Sequence, residues 1–135
     1  MVFEIILYVA DQEKSKTFYE RVLLQKAILH VPGMTEFQLL EGVKLGLMPE
    51  NGIAKIISPP APHPSEGTGI PRCELYIQVE NLEEYLLRSI SAGAKLLSPP
   101  SNRDWGDRVC YLIDPDGHVL AFANKIQKDP DKNST

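Results

Sequence analysis

Only two cysteines occur in the 135 residues, Cys73 and Cys110, with no C-x-x-C pair and no companion histidine spacing, so neither a disulfide framework nor a zinc knuckle is expected. Both thiols read as small buried hydrophobes, and a reducing cytoplasm is the default compartment. Positive charge is also short: 14 Lys and Arg face 18 Asp and Glu, a net charge of −4. A nucleic-acid partner, which needs a clustered cationic surface, is therefore not expected. No apolar run approaches the roughly 18 residues that span a bilayer, and the first residues lack a basic leader with a cleavage site. A soluble, unexported chain with no membrane partner follows as the expectation. A Gly-rich phosphate loop and a G-x-S-x-G elbow are missing too, and Gly67-Thr68-Gly69 reads as flexibility in a lid.

What is present is an ordinary globular composition, 43% hydrophobic and 24% charged, on a chain long enough for one domain. Residues 2–9 are apolar except for Glu4 and rich in strand formers, and they predict a buried strand. Asp11 is an N-cap residue, and the pairs Phe18/Val22 and Tyr19/Leu23 lie on one helical stripe, predicting a helix from about Gln12 to Leu24. Short strands are expected near 27–31, 34–40 and 43–48, separated by Pro32-Gly33 and Glu41-Gly42. Residues 49–71 hold six of the eleven prolines and read as an extended linker or lid.

After the linker the order starts again. A strand is expected over Cys73–Val79, and Asn81 caps a helix with Glu84 three residues on. The stripe Leu82, Leu86 and Ile90 runs to a stop at Gly93. Strands near 95–98, 108–113 and 118–123 complete it, the last two joined by the turn Asp114-Pro115-Asp116-Gly117. Val9-Ala10-Asp11 and Val79-Glu80-Asn81 occupy the same strand-to-helix junction, so the chain reads as two copies of one unit. The predicted fold class is α+β: tandem β-α-β-β-β modules forming a curved, mostly antiparallel sheet around a cleft. Module one is 1–48, the linker 49–71 and module two 72–126, together one domain of residues 1–126, with 127–135 a disordered tail. Strands 2–9 and 118–123 are apolar at nearly every position, which predicts cover on both faces.

Tyr8-Val9-Ala10-Asp11 with Ser15 and Phe18-Tyr19, then Val79-Glu80-Asn81, Trp105-Gly106-Asp107-Arg108 and Asp114-Pro115-Asp116-Gly117-His118, resemble the vicinal oxygen chelate superfamily. That superfamily includes glyoxalase I, fosfomycin-resistance enzymes, ring-cleaving dioxygenases and bleomycin-resistance proteins. The resemblance implies four wall positions for metal ligands, which fall here on Glu4, approximately Gly46, Glu74 and Ala121. Two of the four carry no ligand atom, so the resemblance points to the metal-free, bleomycin-resistance-like branch, with no cofactor, no metal and no assigned catalytic residue. His30, His63 and His118 sit in a strand, the linker and a turn exit, and do not form a facial triad.

The implied function is metal-independent binding of a small molecule, a cationic or aromatic compound held by sequestration in a homodimer. The alternatives are a metal-dependent lyase, isomerase or dioxygenase, and a non-catalytic structural or regulatory module. Period-2 alternation puts Glu4, Ile6 and Tyr8, then Glu74, Tyr76 and Gln78, then Val119, Ala121 and Ala123 towards the cleft. Gly46 and Ala121 leave space, and Met48, Trp105, Arg108 and Tyr111 complete the expected ligand-binding set. Each has an ordinary reading as well: Tyr8 and Tyr76 as core aromatics, Trp105 as loop packing, and Arg108 as the partner of Asp104 or Asp107. Glu4 and Glu74, if they share the cleft, should raise at least one pKa by repulsion and burial.

Overall fold

The computed structural model describes residues 1–127. Module one runs β1 (Phe3–Val9), α1 (Gln12–Leu23), β2 (Leu29–Val31), β3 (Met34–Leu40) and β4 (Val43–Pro49). After α2 (Glu50–Ile57) and a 3-10 turn at Pro64–Gly67, module two repeats the order as β5 (Glu74–Gln78), α3 (Leu82–Ala92), β6 (Lys95–Asn102), β7 (Asp107–Ile113) and β8 (Val119–Lys125). The expected tandem β-α-β-β-β modules are found. Each makes its own four-stranded sheet, ordered β1-β4-β3-β2 and β5-β8-β7-β6. In both sheets the first and last strands of the module pair parallel and the other neighbours antiparallel. The tail expected from Gln127 lies, beyond that residue, outside the described part.

The module helices α1 and α3 start where the local chemistry dictates. The Asp11 carboxylate accepts from Lys14 N at 3.0 Å and Asn81 Oδ1 from Glu84 N at 3.3 Å, each satisfying one of a helix's free amides. At its end α3 turns left-handed at Gly93.

The linker reading needs correction, because residues 50–57 are helical. Prolines stand at 49 and from 59 onward, so the intervening stretch keeps its amide donors and buries Ile53 and Ala54. A composition averaged over the whole window hides that gap. A second difference is β6, which continues through Pro99 and Pro100. It is an edge strand whose register is broken there, so missing donors face no partner.

One core joins the modules. Leu7, Val9, Phe37, Leu45 and Leu47 from the first sheet and Leu75, Leu112, Leu120 and Phe122 from the second pack around Phe18, Tyr19, Val22 and Leu82 of the helices. The modules meet chiefly through α1 against α3, and the opposite face of each sheet looks away from this shared core. Ile6 and Tyr8 are each 37% exposed there, so among the described residues the expected cover on this face of β1 is only partial. On the far face of β8, Ala121 and Ala123 are buried beside Val109 and the partly buried Tyr111 of the neighbouring strand β7.

The Asp-Pro-Asp-Gly turn stitches module two to module one. Asp114 Oδ2 accepts from the Tyr19 hydroxyl at 2.6 Å, Asp116 Oδ1 from Ala10 N at 2.8 Å, and His118 Nε2 donates to Tyr8 O at 2.9 Å. Burial and the neighbouring Asp114 carboxylate push the Tyr19 hydroxyl well above its usual pKa. Gly117 has φ +88°, and a Cβ there would stand 3.0 Å from Gly69 Cα.

Candidate functional site

The alternation of β1 turns Ile5, Leu7 and Val9 to the core and Glu4, Ile6 and Tyr8 to the open face, as expected. The parallel register sets Lys44, Gly46 and Met48 of β4 beside these three, and Glu36 of β3 lies opposite Gly46. The Glu4 side chain crosses over Gly46 towards Glu36. A Cβ at position 46 would lie 2.8 Å from Glu4 Oε2 and 3.0 Å from Ile6 Cγ1, so the missing side chain is the space the carboxyl occupies. Glu4 Oε2 is out of solvent and accepts no hydrogen bond in this arrangement.

That geometry favours the protonated form of Glu4. The hydrogen bond that a protonated carboxyl forms with Glu36, loss of solvent and the Glu36 charge raise its pKa from 4.5 to about 7, with the Lys44 ammonium pulling the other way. Lys44 Nζ stands 3.7 Å from Glu36 Oε1. The expected partner was Glu74; the structure gives that role to Glu36. Glu74 is exposed on β5, and no hydrogen bond or ion pair among the described residues joins it to Glu4. Because the folded pKa lies above the unfolded one, Glu4 stabilises the fold most below about pH 4.5, and this contribution disappears as pH rises to about 7. Glu4→Gln should therefore gain on the parent protein across that window, by about 1 kcal/mol after allowing for solvent screening. Urea unfolding at several pH values checks this, and parallel stability curves for the two proteins would refute it.

The second sheet presents a different surface. Glu74, Tyr76 and Gln78 face outwards on β5, with Ala121 buried beside Tyr76 and Tyr111 across from Ala121 on β7. The Tyr76 hydroxyl donates to Asp107 Oδ2 at 2.5 Å and accepts from the Trp105 indole N–H at 2.9 Å. Gln78 Nε2 donates to the same carboxylate oxygen at 3.3 Å, and Lys125 Nζ stands 3.0 Å from Asp107 Oδ1. The Tyr76 hydrogen bond, with Lys125 and Gln78 behind it, holds the Asp107 carboxyl below its usual range. Loss of solvent and that same bond raise Tyr76. Trp105 stays 58% exposed and anchored only at its nitrogen, leaving its ring available to stack.

Arg108 does not join this surface. It falls on the Cys110 side of β7, and its Nη1 donates to Glu83 Oε1 of α3 at 2.5 Å, which lowers the Glu83 pKa. Neither Asp104 nor Asp107 is its partner. Cys73, expected to be buried, is exposed at the end of the linker, whereas Cys110 is buried and its thiol pushed up by loss of solvent. Sequence reasoning passed over Glu36, Lys44, Asp107 and Lys125. The alternation of Glu36 and Gln38 about Phe37 marks a polar face, but only strand register shows that it borders Glu4.

The donor set does not suit the divalent metal that the resemblance implies for other branches. Gly46 and Ala121 contribute no electron pair, and Glu4 is engaged with Glu36 beside an ammonium. Among the described residues no three His, Cys, Asp or Glu side chains come close enough to share an ion. No described helix is long and apolar enough to cross a membrane.

Residues 2–127 match the signature of the glyoxalase-like domain. A glyoxalase-related enzyme from Fulvimarina pelagi is 25% identical and superposes with a TM-score of 0.78, the match covering 93% of this chain and 88% of that one. A glyoxalase/bleomycin resistance protein/dioxygenase family enzyme from Burkholderia phytofirmans is 16% identical at a TM-score of 0.78, over 91% and 97% of the two chains. One from Nocardioides, described as glyoxalase/bleomycin resistance protein/dioxygenase, is 21% identical at 0.74, over 96% and 85%. No curated protein matches at a significant level. With that signature spanning almost the whole described chain, the protein belongs to the glyoxalase-like domain family.

Proposed function

We propose that this glyoxalase-like domain binds a small planar organic cation on the open faces of its sheets, without a resident divalent metal. The observation that carries the reading is the donor set: two of the four wall positions are Gly46 and Ala121, and the first is filled by the Glu4 carboxyl. Trp105 and Tyr76 supply flat surfaces, and Glu74 and the Glu4/Glu36 pair supply negative charge. Apolar exposure at Ile6, Tyr8, Leu29 and Val31 on one face and at Tyr76 and Trp105 on the other supports a homodimer in which one copy's first sheet closes over its partner's second.

A second reading is favoured by the Glu4 carboxyl lying over Gly46 on the open face, with its pKa raised to about 7. A carboxyl so poised exchanges a proton readily at neutral pH, so a metal-free isomerisation, in which Glu4 takes a proton from a bound substrate and returns it at another atom, would suit this face.

The test uses the sole tryptophan as reporter. Proflavine, a planar aromatic cation, is expected to quench Trp105 saturably, and the binding should weaken about tenfold in Glu74→Gln, a loss of about 1.4 kcal/mol. The anionic dye fluorescein should not bind, and EDTA or added nickel should leave the melting temperature unchanged. Near-stoichiometric metal with a melting temperature lowered by EDTA would overturn the metal-free reading, and equal binding of both dyes would overturn the preference for cations.

A further inference from the structure

A cavity of about 460 Å³ adjoins the open face of β1, where the end of that strand, α2, the segment after the 3-10 turn and the Asp-Pro-Asp-Gly turn converge. That is a usual volume for a small-molecule pocket. Ile6, Tyr8, Ile57, Pro62 and Ile70 give it apolar walls. Its charged groups are less ordinary. Glu50, the first residue of α2, is only 8% exposed, yet its one hydrogen-bond partner among the described residues is the Thr68 hydroxyl, 3.2 Å from Oε2. No Lys, Arg or His pairs with it among those residues.

A buried carboxylate without a counter-charge is costly. The Thr68 hydroxyl and the amides at the start of α2 offset part of that cost, but no cationic side chain among the described residues pairs with it. Across the cavity, His118 spends Nε2 on Tyr8 O and makes no ion pair with Glu50, and Asp116, itself an acid, spends Oδ1 on Ala10 N. Asp116 is itself pushed above its usual pKa by loss of solvent, with the Asp114 charge and, to a smaller extent, the Glu50 charge acting in the same direction. Arg72 lines the cavity too but is exposed and makes no ion pair with Glu50.

We propose that this cavity is a second ligand site, which takes a protonated primary amine carried on a compact apolar body, with the ammonium against Glu50 and the body against Ile57 and Ile70. The site shares Ile6 and Tyr8 with the sheet face of the reading above, but its carboxylate, Glu50, belongs to neither polar cluster there. Benzylamine, with benzyl alcohol as its neutral counterpart, is the probe, followed by amide NMR on the full chain. Benzylamine should shift the amides of Ile57, Ile70 and Gly117 saturably and bind at least about tenfold more tightly than the alcohol.

Glu50→Gln keeps an oxygen for Thr68 and should cost benzylamine about tenfold in affinity. Ile70→Trp, at an exposed wall position, should block it while leaving the fold intact, which preserves the test if Glu50→Gln folds poorly. Equal affinity for amine and alcohol, unaltered binding in either folded variant, or no shift at all would overturn the proposal. Shifts confined to Trp105 and Tyr76 would do so as well, while leaving the sheet-face reading standing.

Discussion

Phe122→Ala should destabilise the protein by about 3–5 kcal/mol, the range found for aromatic side chains truncated in cores that cannot collapse. Phe122 lies on β8, between β5 and β7, with no exposure, and its ring centroid sits 5.2 Å from that of Tyr85 on α3. It belongs to the one core shared by both modules, so the void opens where sheet and helix layers are already held from either side. The melting temperature should fall by roughly 10–15 °C. A measured loss below about 1 kcal/mol would mean that the modules close over the gap, and that the shared core is looser than its burial indicates.

Asp114→Ala is expected to cost about 3 kcal/mol by a different route. Its carboxylate is buried and accepts three hydrogen bonds, from the Tyr19 hydroxyl and from the amides of Asp116 and His118. Alanine leaves two amides and a buried phenol without an acceptor, and the turn that holds Ala10 and Tyr8 loses its internal brace. Tyr19→Phe removes one of the three bonds and should cost about 1–2 kcal/mol. In the double variant the losses should fall short of their sum, because the two groups share a bond. Strict additivity would show that the Tyr19 to Asp114 contact does not tie the modules together.

The order of strands and helices was readable because it depends on local chemistry. Asp11 and Asn81 cap helices through their own side chains, Gly93 accepts a left-handed turn, and strand alternation assigns Glu4, Tyr8, Glu74 and Tyr76 to one face of their strands. The helix at Glu50–Ile57 escaped notice because its signal is a short proline-free interval inside a proline-rich window. Arg108 departs from the ligand-binding set expected for it because alternation along β7 groups it with Cys110 and turns it to Glu83 of α3, a partner distant in the chain.

What the sequence determined by itself is therefore the module, its repetition and the side of each strand on which a residue lies, since periodicity and caps act over a few residues. Tertiary structure alone decided the partners. Glu4 meets Glu36 and not Glu74 because two strands pair with β4 and bring their open-face residues to Gly46, at separations that no local pattern encodes. The same holds for Glu50, whose isolation on a cavity wall arises only when the linker folds back against β1 and the turn before β8.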